Sequence, residues 1–411
     1  MEALVFMPHG DMIKLTFLGD AMCDKPMADR LTHYQNAQGD GYDFTKAFLH
    51  MKKLLEKSDY VMANLETPIS QNKEMLTNKR WEFCTDISYA KALKENGIDY
   101  VATANNHCLD RGLDGIKTTI ACLDALGLAH SGTYLPGVSR KPLIIECGTL
   151  KLGILSYTYG TNAVTNKQYL PLSCHRSVDL LQEQEGKLMP LDPLHWYLCR
   201  RPGGKVQNFR NRMVYKIWPQ NATREWFEWE TWNGYRKHLL AKDIRWLKRH
   251  GADKIAIFLH IGGQYNLKPN SFTLKMTGWL EKKHIDFIIA NHEHVIHGCK
   301  FENNQLTTYA LGNFLGSAGT LESPTDRYSE YSIAAHCYID SKTKETQKVT
   351  YSVLKTVLTD DERLTVWPVY DLLSSLSEEE RLRITQDALT CAELFSGKMH
   401  RELKEEFELG A

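Results

Sequence analysis

The sequence predicts a layered α/β protein, and three observations support this prediction. Short apolar runs of strand length alternate with longer segments that carry apolar residues at helical spacing. Several of the apolar runs end directly on a polar side chain of a type that binds metals. Apolar residues make up 43% of the 411 residues, a proportion typical of a globular protein. A chain of this length forms either one decorated domain or two smaller ones.

The first part of the chain alternates between strand and helix patterns. We predict strands over residues 14–19, 60–63 and 100–104, followed by a hairpin of residues 143–147 and 151–157 across Gly148-Thr149. We predict helices over residues 43–57, from a cap at Ser88 to residue 96, and over residues 113–125. Gly97 and Gly127 would end the last two helices.

The regular pattern breaks between about residues 160 and 235, which we interpret as an insertion that folds over another part of the molecule. The segment contains five of the nine tryptophans, and it also contains Arg200, Arg201, Arg210 and Arg212. A loop of this length is usually functional or disordered, and the many aromatic residues argue against disorder. We expect most of the tryptophans to pack a small subdomain, with stacking against a sugar or base as the alternative. The arginines could clamp an anionic substrate.

The regular pattern resumes after the insertion. The predicted helices cover residues 234–249 and about 277–283, and the predicted strands cover residues 254–259, 287–290, 331–339 and 349–358. Residues 301–302 and 305–310 would form a hairpin through Asn303-Asn304. The charged tail from residue 369 to about 409 is predicted to be helical. We therefore divide the chain into a domain of residues 1–360 and a C-terminal helical extension of residues 361–411.

Five predicted strands end on side chains that can bind a metal. These side chains are Asp20, Glu66, Asn106 beside His107, His260, and the pair His292 and His294. The carboxyl ends of strands in α/β folds form one rim, where ligands bind, and residues i and i+2 of an extended backbone face the same side. A set of nitrogen and oxygen donors without sulfur suits Mn, Fe or Zn. The set exceeds the four ligands of a tetrahedral ion, so we expect one or two divalent ions, with a carboxylate bridging two.

Each of these residues also has an ordinary structural explanation when it is taken alone. Asp20 could cap a helix or form a turn, Glu66 could be a solvated loop residue, and Asn106 could belong to a turn. His260 could be a core histidine bonded to a backbone carbonyl. Their joint occurrence at successive strand ends favours the metal cluster. An uncoordinated histidine beside such a cluster can protonate a leaving group, and His107 is placed for this role.

Composition restricts the partners and the location of the protein. Lysine plus arginine equals aspartate plus glutamate at 50 each, so no overall field attracts nucleic acid. The ten cysteines show no CxxC pair or regular spacing, which indicates reduced thiols. We find no signal peptide at the N-terminus and no apolar run near the roughly 18 residues of a membrane span. We therefore expect a cytoplasmic protein without a membrane span.

Six short motifs occur in an order that is specific as a set. They are FLGD at 17–20, ANLETP at 63–68, ANNHCLDRG at 104–112, HIG at 260–262, NHEHV at 291–295 and LGNF at 311–314. This series resembles the CapA/PgsA-type capsule-biosynthesis proteins, the poly-gamma-glutamate capsule family, over roughly residues 15–317. That family is similar in fold to the calcineurin-like metallophosphoesterases. The resemblance therefore implies a four-layer α/β/β/α sandwich.

The resemblance also implies roles for individual residues. Asp20 matches the first metal-binding aspartate of the phosphoesterases, and Glu66 matches their bridging aspartate. Asn106 and His260 match two further metal ligands, and His292 and His294 match the final histidine pair. His107 matches the acid that protonates the leaving group, and we expect Asp110 of the same motif to be catalytic with it.

Two departures from these patterns affect the expected chemistry. Met22 stands where phosphoesterases have a histidine, and a thioether binds hard or borderline ions poorly, so one metal position is expected to be weak or empty. Gln264 stands where the capsule family commonly has a glutamate. We therefore keep two hypotheses. The first is a metal-dependent hydrolase of a phosphoester or gamma-glutamyl bond in an anionic small molecule or polymer. The second is a non-catalytic polyanion-binding or capsule-assembly factor with a structural or vestigial metal site.

Overall fold

A computed structural model describes residues 11–39, 41–79, 81–138, 140–182, 184, 234–316 and 328–410. Within these ranges, two large β-sheets pack face to face, and helices cover the outer surface of each sheet. The predicted four-layer α/β/β/α sandwich is therefore confirmed. The tryptophans and arginines that we singled out between residues 196 and 232 lie outside the described residues.

The described strands and helices are numbered here in chain order. The strands are β1 Met12–Met22, β2 Tyr60–Glu66, β3 Ile69–Ser70, β4 Thr85–Asp86, β5 Tyr100–Ala102, β6 Ala129–Ser131, β7 Leu143–Cys147, β8 Leu150–Thr158, β9 Lys254–His260, β10 Phe287–Asn291, β11 Cys299–Glu302, β12 Gln305–Thr308, β13 Asn313–Leu315, β14 Tyr331–Asp340, β15 Thr346–Leu358, β16 Leu364–Pro368 and β17 Phe407–Gly410. The α-helices are α1 Lys25–Ala28, α2 Thr45–Phe48, α3 Lys52–Leu55, α4 Ile87–Glu95, α5 Gly112–Leu126, α6 Ala163–Asn166, α7 Gly234–Arg249, α8 Ser271–Glu281, α9 Val369–Leu372 and α10 Glu378–Ser396.

The order and direction of the strands bring several strand ends to one rim. The first sheet has the order β16-β15-β14-β1-β2-β5-β6, with β13 paired to β1 and β17 paired to β15. The second sheet has the order β11-β12-β10-β9-β8-β7. Strands β1, β2, β5 and β6 are parallel to one another, and so are β8, β9, β10 and β12. Each sheet therefore presents a row of strand carboxyl ends, where α/β proteins bind ligands.

Aromatic and aliphatic side chains fill the layers between the sheets and the helices. Between the two sheets, the Phe17 ring lies 5.4 Å from the Phe287 ring and 6.1 Å from the Phe258 ring. On the outer surface of the first sheet, Phe48 stacks on Phe314 with ring centroids 5.6 Å apart. Each fully buried side chain of this size contributes about 1.5–3 kcal/mol. This burial fixes the relative position of the two rims.

Several helix boundaries differ from those predicted. The helix expected over residues 43–57 is divided into α2, a 3-10 turn at Leu49–Met51, and α3. Helix α4 is capped by Asp86, whose carboxylate accepts the Ser88 backbone N–H at 2.9 Å, so the prediction of Ser88 as the cap is wrong. Helix α8 begins at residue 271 rather than 277, because the Asn270 side chain accepts the Thr273 backbone N–H at 2.9 Å.

The C-terminal tail is largely helical from residue 369 to residue 396 but not beyond. Helix α10 has a capping box of Ser377 and Glu380, and it ends at Gly397 with a φ of 68°. The prediction of helix is wrong for residues 407–410, which form β17 on β15. Phe407 stacks on Tyr351 with ring centroids 5.3 Å apart, and this buried contact favours the strand. The division of the chain at residue 360 stays a prediction.

A buried ion cluster connects the chain on either side of residues 185–233. Arg140 Nε donates to Asp179 Oδ1 at 2.6 Å, and Arg140 Nη2 donates to Asp179 Oδ2 at 2.5 Å. The same Nη2 atom lies 2.6 Å from Asp243 Oδ2 on α7, and the Tyr157 hydroxyl also donates to that carboxylate. Arg140 therefore connects the segment that precedes residue 185 to the helix that begins at residue 234.

The structure also describes the state of the cysteines and the lengths of the helices. The described cysteines are free thiols, and all except Cys174 and Cys299 are buried. Burial raises the pKa of Cys23 to about 12, which makes this thiol a weak nucleophile. In the described part of the chain, we find no helix that combines the length and the apolar character needed to cross a bilayer.

Candidate metal centre

The structure brings the six predicted metal ligands together between the rims of the two sheets. The first sheet supplies Asp20, Glu66 and Asn106, and the second supplies His260, His292 and His294. Each of these residues is at most 2% exposed. Parallel pairing places Met22 opposite Glu66, and Asn291 opposite His260. The registers thus place the strand ends that carry ligands side by side, although these strands are far apart in the sequence.

Glu66 lies at the centre of the cluster. Its Oε1 atom is 3.4 Å from His260 Nε2 and 3.8 Å from His294 Nε2. Ligand atoms of Glu66, His292 and His294 lie within 4.8 Å of one another, as do those of Asp20, Glu66 and His260. Since Glu66 belongs to both groups, it has the position that a carboxylate bridging two ions would require.

The two histidines after β10 lie on an unusual backbone. Strand β10 ends at Asn291, and the φ angles of His292 and His294 are 111° and 57°. The extended backbone assumed for this pair is therefore wrong, although the two rings lie 5.8 Å apart. Positive φ at residues other than glycine costs about 1–3 kcal/mol and is concentrated at functional sites. The His292 backbone N–H donates to Asp20 Oδ2 at 3.2 Å, which helps to hold this conformation.

Burial dominates the electrostatics of the cluster. It raises the pKa of Asp20, and the neighbouring charge of Glu66 acts in the same direction. It lowers the pKa of His292 far below its ordinary value, with His260 and His294 adding to the effect, so His292 is a neutral imidazole. Burial alone would raise the pKa of Glu66, but the neighbouring imidazoles of His260 and His294 bring it to about 2. Glu66 is therefore an anion among imidazoles.

The donor set fits a divalent transition metal. Glu66 is 0% exposed, yet neither of its carboxylate oxygens accepts a hydrogen bond from the described residues. A buried carboxylate without such bonds costs several kcal/mol unless a cation compensates it. Imidazole nitrogens and carboxylate oxygens are donors that suit Mn, Fe or Zn. The residues present are thus suited to holding a divalent ion, whose identity they leave open.

Residues that the sequence analysis did not assign surround the six ligands. Asn64 Nδ2 donates to Asp20 Oδ1 at 2.7 Å, and His294 Nδ1 donates to Asn313 Oδ1 at 2.9 Å, which leaves His294 Nε2 available to an ion. Glu293 is 0% exposed, and its Oε2 atom accepts the Gly263 backbone N–H at 2.8 Å. All three residues lie within the motifs noted above. The sequence could have indicated them, because Asn64 and Glu293 lie within two residues of a ligand and Asn313 belongs to the short LGNF motif.

His107 and Asp110 form a buried pair beside the ligands. His107 Nδ1 donates to Asp110 Oδ2 at 2.6 Å, and the two side chains are 4% and 0% exposed. Asn106, the preceding residue, places its Oδ1 atom 2.8 Å from His260 Nε2. The pair therefore borders the cluster, and His107 Nε2 is the ring nitrogen that remains for proton transfer.

Met22 and Gln264, which the sequence analysis considered, and His297, three residues after His294, are absent from these ligand groups. Met22 is buried, and its backbone carbonyl accepts the Tyr89 hydroxyl at 2.9 Å. Gln264 is exposed. His297 Nε2 lies 2.6 Å from the Asn266 carbonyl oxygen, which accounts for that ring as a loop contact. The expectation that one metal position is weak or empty stays a prediction.

The fold and the site together define the class. The chain is an α/β/β/α sandwich protein with a candidate metal centre at the rim where its two sheets bring carboxylates and imidazoles together. Residues 14–318 match the family model described as bacterial capsule synthesis protein PGA_cap. This match covers well over half of the chain, and the chain belongs to that family.

Two curated relatives carry the name CapA. The chain is 20% identical over 312 residues to the PGA biosynthesis protein CapA of Bacillus subtilis (strain 168), covering 75% of this chain and 64% of the relative. It is 22% identical over 338 residues to the capsule biosynthesis protein CapA of Bacillus anthracis, covering 80% of this chain and 66% of the relative. The chain thus spans just under two thirds of the length of each relative.

One solved structure is also similar. The crystal structure of a novel phosphatase from Mycoplasma pneumoniae aligns with 90% of this chain and 99% of its own chain. The sequence identity is 14% and the TM-score is 0.42.

Proposed function

We propose that this protein is a metal-dependent hydrolase that cleaves a phosphoester or a gamma-glutamyl amide bond in an anionic small molecule or polymer. The observation that carries this proposal is the Glu66 carboxylate, fully buried and 3.4 Å from His260 Nε2, with no hydrogen bond to either oxygen from the described residues. A carboxylate in these surroundings is explained most simply as a metal ligand. The names of the two CapA relatives support a capsule-related, polyglutamate-like substrate.

The side chains divide into ligands and a proton donor. Asp20, Glu66, Asn106, His260, His292 and His294 would hold one or two divalent ions. When bound, such an ion acidifies a water molecule and polarises the phosphoryl or carbonyl group of a substrate. Asp110 holds the Nδ1 proton of His107, so His107 Nε2 is the atom that would protonate the leaving group.

A comparison of two histidine variants tests this assignment. Purified protein should contain one to two equivalents of transition metal by mass spectrometry. His292→Ala should lose metal and any hydrolysis, because it removes a buried ligand. His107→Ala should keep its metal, while hydrolysis of a substrate with a poor leaving group, such as a phenyl ester, falls by about 10²–10⁴-fold, the usual contribution of a general acid. His250→Ala serves as the matched control, because His250 is exposed and directly follows the end of α7.

The choice of substrates separates the two bond types and the alternative function. Bis(p-nitrophenyl) phosphate tests for phosphodiester cleavage, and gamma-glutamyl-p-nitroanilide tests for amide cleavage. Equal metal loss in both histidine variants would contradict the role assigned to His107. Metal-free protein that turns over neither substrate, but binds polyglutamate with strong salt dependence, would favour the non-catalytic binding factor.

A further inference from the structure

The Asp110 carboxylate is held by donors from three separate parts of the chain. Its Oδ2 atom accepts His107 Nδ1 and the Phe83 backbone N–H, each at 2.6 Å. Its Oδ1 atom accepts Asn166 Nδ2 at 2.5 Å. Since the side chain is 0% exposed, these protein donors replace water around the carboxylate. The carboxylate is therefore fixed in position before any substrate binds.

The Phe83 side chain acts on the histidine itself. Its ring lies on the His107 imidazole with centroids 3.6 Å apart and an angle of 4° between the planes. Phe83 is buried, at 3% exposure. It therefore contacts the pair twice, through its ring on the imidazole and through its backbone N–H on the carboxylate. The stacking fixes the plane of the imidazole, which the hydrogen bond from Nδ1 alone leaves free to tilt.

Both residues lie on anchored segments. The stretch that carries Phe83 is held by Arg111, which follows Asp110 in the sequence: Arg111 Nε donates to the Met75 carbonyl at 2.6 Å, and Nη1 donates to Glu82 Oε2 at 3.0 Å. Asn166 is the last residue of α6, in the segment that follows β8. In the same segment, Asn162 Oδ1 accepts Asn106 Nδ2 at 3.4 Å. This segment thus reaches both a candidate ligand and the acid pair.

We propose that Phe83 and Asn166 are positioning residues for the proton transfer by His107. This inference rests on the proposed hydrolase function. In the step concerned, the oxygen of a water molecule forms a bond to the phosphorus or carbonyl carbon, the bond to the leaving atom breaks, and the proton that the water loses passes to solvent. The Nε2 proton of the His107 imidazolium passes to the leaving atom, and the ring becomes neutral with its proton on Nδ1, facing Asp110. Phe83 sets the plane in which Nε2 points, and Asn166 holds the carboxylate that keeps the proton on Nδ1.

The dependence on the leaving group provides a readout that a general loss of structure would not produce. A p-nitrophenolate leaves readily without a proton, whereas a phenolate needs one. Loss of acid positioning should therefore slow a phenyl ester far more than the matched p-nitrophenyl ester. The variants are Phe83→Leu, which keeps the backbone N–H but removes the ring, and Asn166→Ala. Thr165→Ala is the matched control, because Thr165 is exposed on the same short helix.

We expect kcat/KM for the phenyl ester to fall by about 10–100-fold in Phe83→Leu and Asn166→Ala, part of the full effect of a general acid. The p-nitrophenyl ester should change by less than about threefold. Metal content should equal that of the wild type, and Thr165→Ala should match the wild type in every measurement. Equal losses on both esters, or no loss on either, would overturn the positioning role.

A spectroscopic measurement keeps the inference testable if the protein hydrolyses neither ester. In protein with ¹⁵N-labelled histidine, the Nδ1–H signal of His107 is assigned by its loss in His107→Ala. We expect this signal to broaden or to shift toward a tautomer mixture in Phe83→Leu and Asn166→Ala but not in Thr165→Ala. A changed signal in protein that hydrolyses neither the esters nor gamma-glutamyl-p-nitroanilide would refute the hydrolase function alone. Turnover with an unchanged signal in both variants would refute the positioning role alone.

Discussion

The buried Arg140 cluster allows a quantitative prediction about stability. Arg140 donates to Asp179 at 2.5 Å and 2.6 Å and lies 2.6 Å from Asp243, with side-chain exposures of only 5% and 7% for the arginine and its partners. Removing one member of such a group leaves buried charge without compensation. We expect Arg140→Met to lower the free energy of unfolding by about 3–5 kcal/mol. Arg140→Lys should lose less, because it keeps the charge but not the two parallel hydrogen bonds.

Urea unfolding at 25 °C, followed by both circular dichroism and tryptophan fluorescence, measures this loss. Coincident transitions would justify two-state treatment, and the midpoint shift at constant slope would give the change in free energy. The matched control is Lys53→Met, which removes an exposed ion pair with Asp371 at 2.9 Å. Solvent screens that pair, so its removal should change the free energy of unfolding very little. If Arg140→Met costs no more than Lys53→Met, the stabilising role of the cluster is wrong.

Three further predictions concern Gly262, His336 and bound metal. A Cβ atom at Gly262, where φ is 126°, would lie 2.0 Å from Glu293 Oε1. Gly262→Ala should therefore destabilise the protein by about 2–4 kcal/mol in the same urea assay. Gly251→Ala is the control: its φ is 83° and its surroundings are open, so it measures the cost of the backbone conformation without a clash. Burial lowers the pKa of His336 from 6.5 to about 3, so the unfolded chain takes up this proton first as the pH falls. The associated stability should be complete above pH 6.5 and should decrease by roughly 3–5 kcal/mol toward pH 3, and His336→Gln should flatten that part of the pH profile; an unchanged profile would contradict this account. Removal of metal by a chelator should lower the melting temperature of the wild type but not of His292→Ala, and equal shifts would argue against a bound ion at this site.

The candidate ligands could be proposed from sequence because they follow apolar runs directly. An apolar run predicts a buried strand, and the polar residue after it then falls at the rim of the sheet, as Asp20, Glu66 and His260 do. The supporting residues were harder to find, since their role depends on contacts across the fold. Phe83 lies 24 residues before His107 and Asn166 lies 59 residues after it. Nothing in the local pattern of either residue indicates the imidazole or the carboxylate that it contacts.

The same distinction applies to the secondary structure. Strands β1, β9 and β14 are long, apolar and close to their predicted bounds. The short strands β13, β16 and β17 were missed, because strands of three to five residues depend on pairing with β1 and β15 rather than on their own sequence. Interpretation of residues 160–235 as an insertion that folds over another part of the molecule stays a prediction, since most of that segment lies outside the described residues.

The division of the six candidate ligands between the two sheets has a consequence for unfolding. Each sheet, together with the helices that cover it, forms one half of the sandwich and carries three of the six donors. Neither half could therefore bind an ion firmly by itself. Ion release, followed with a chromogenic chelator, would thus report separation of the halves while the helices and strands within each half remain intact. A dye signal that precedes the loss of circular dichroism on heating would reveal an intermediate with separated sheets, which spectroscopy of secondary structure alone would not detect.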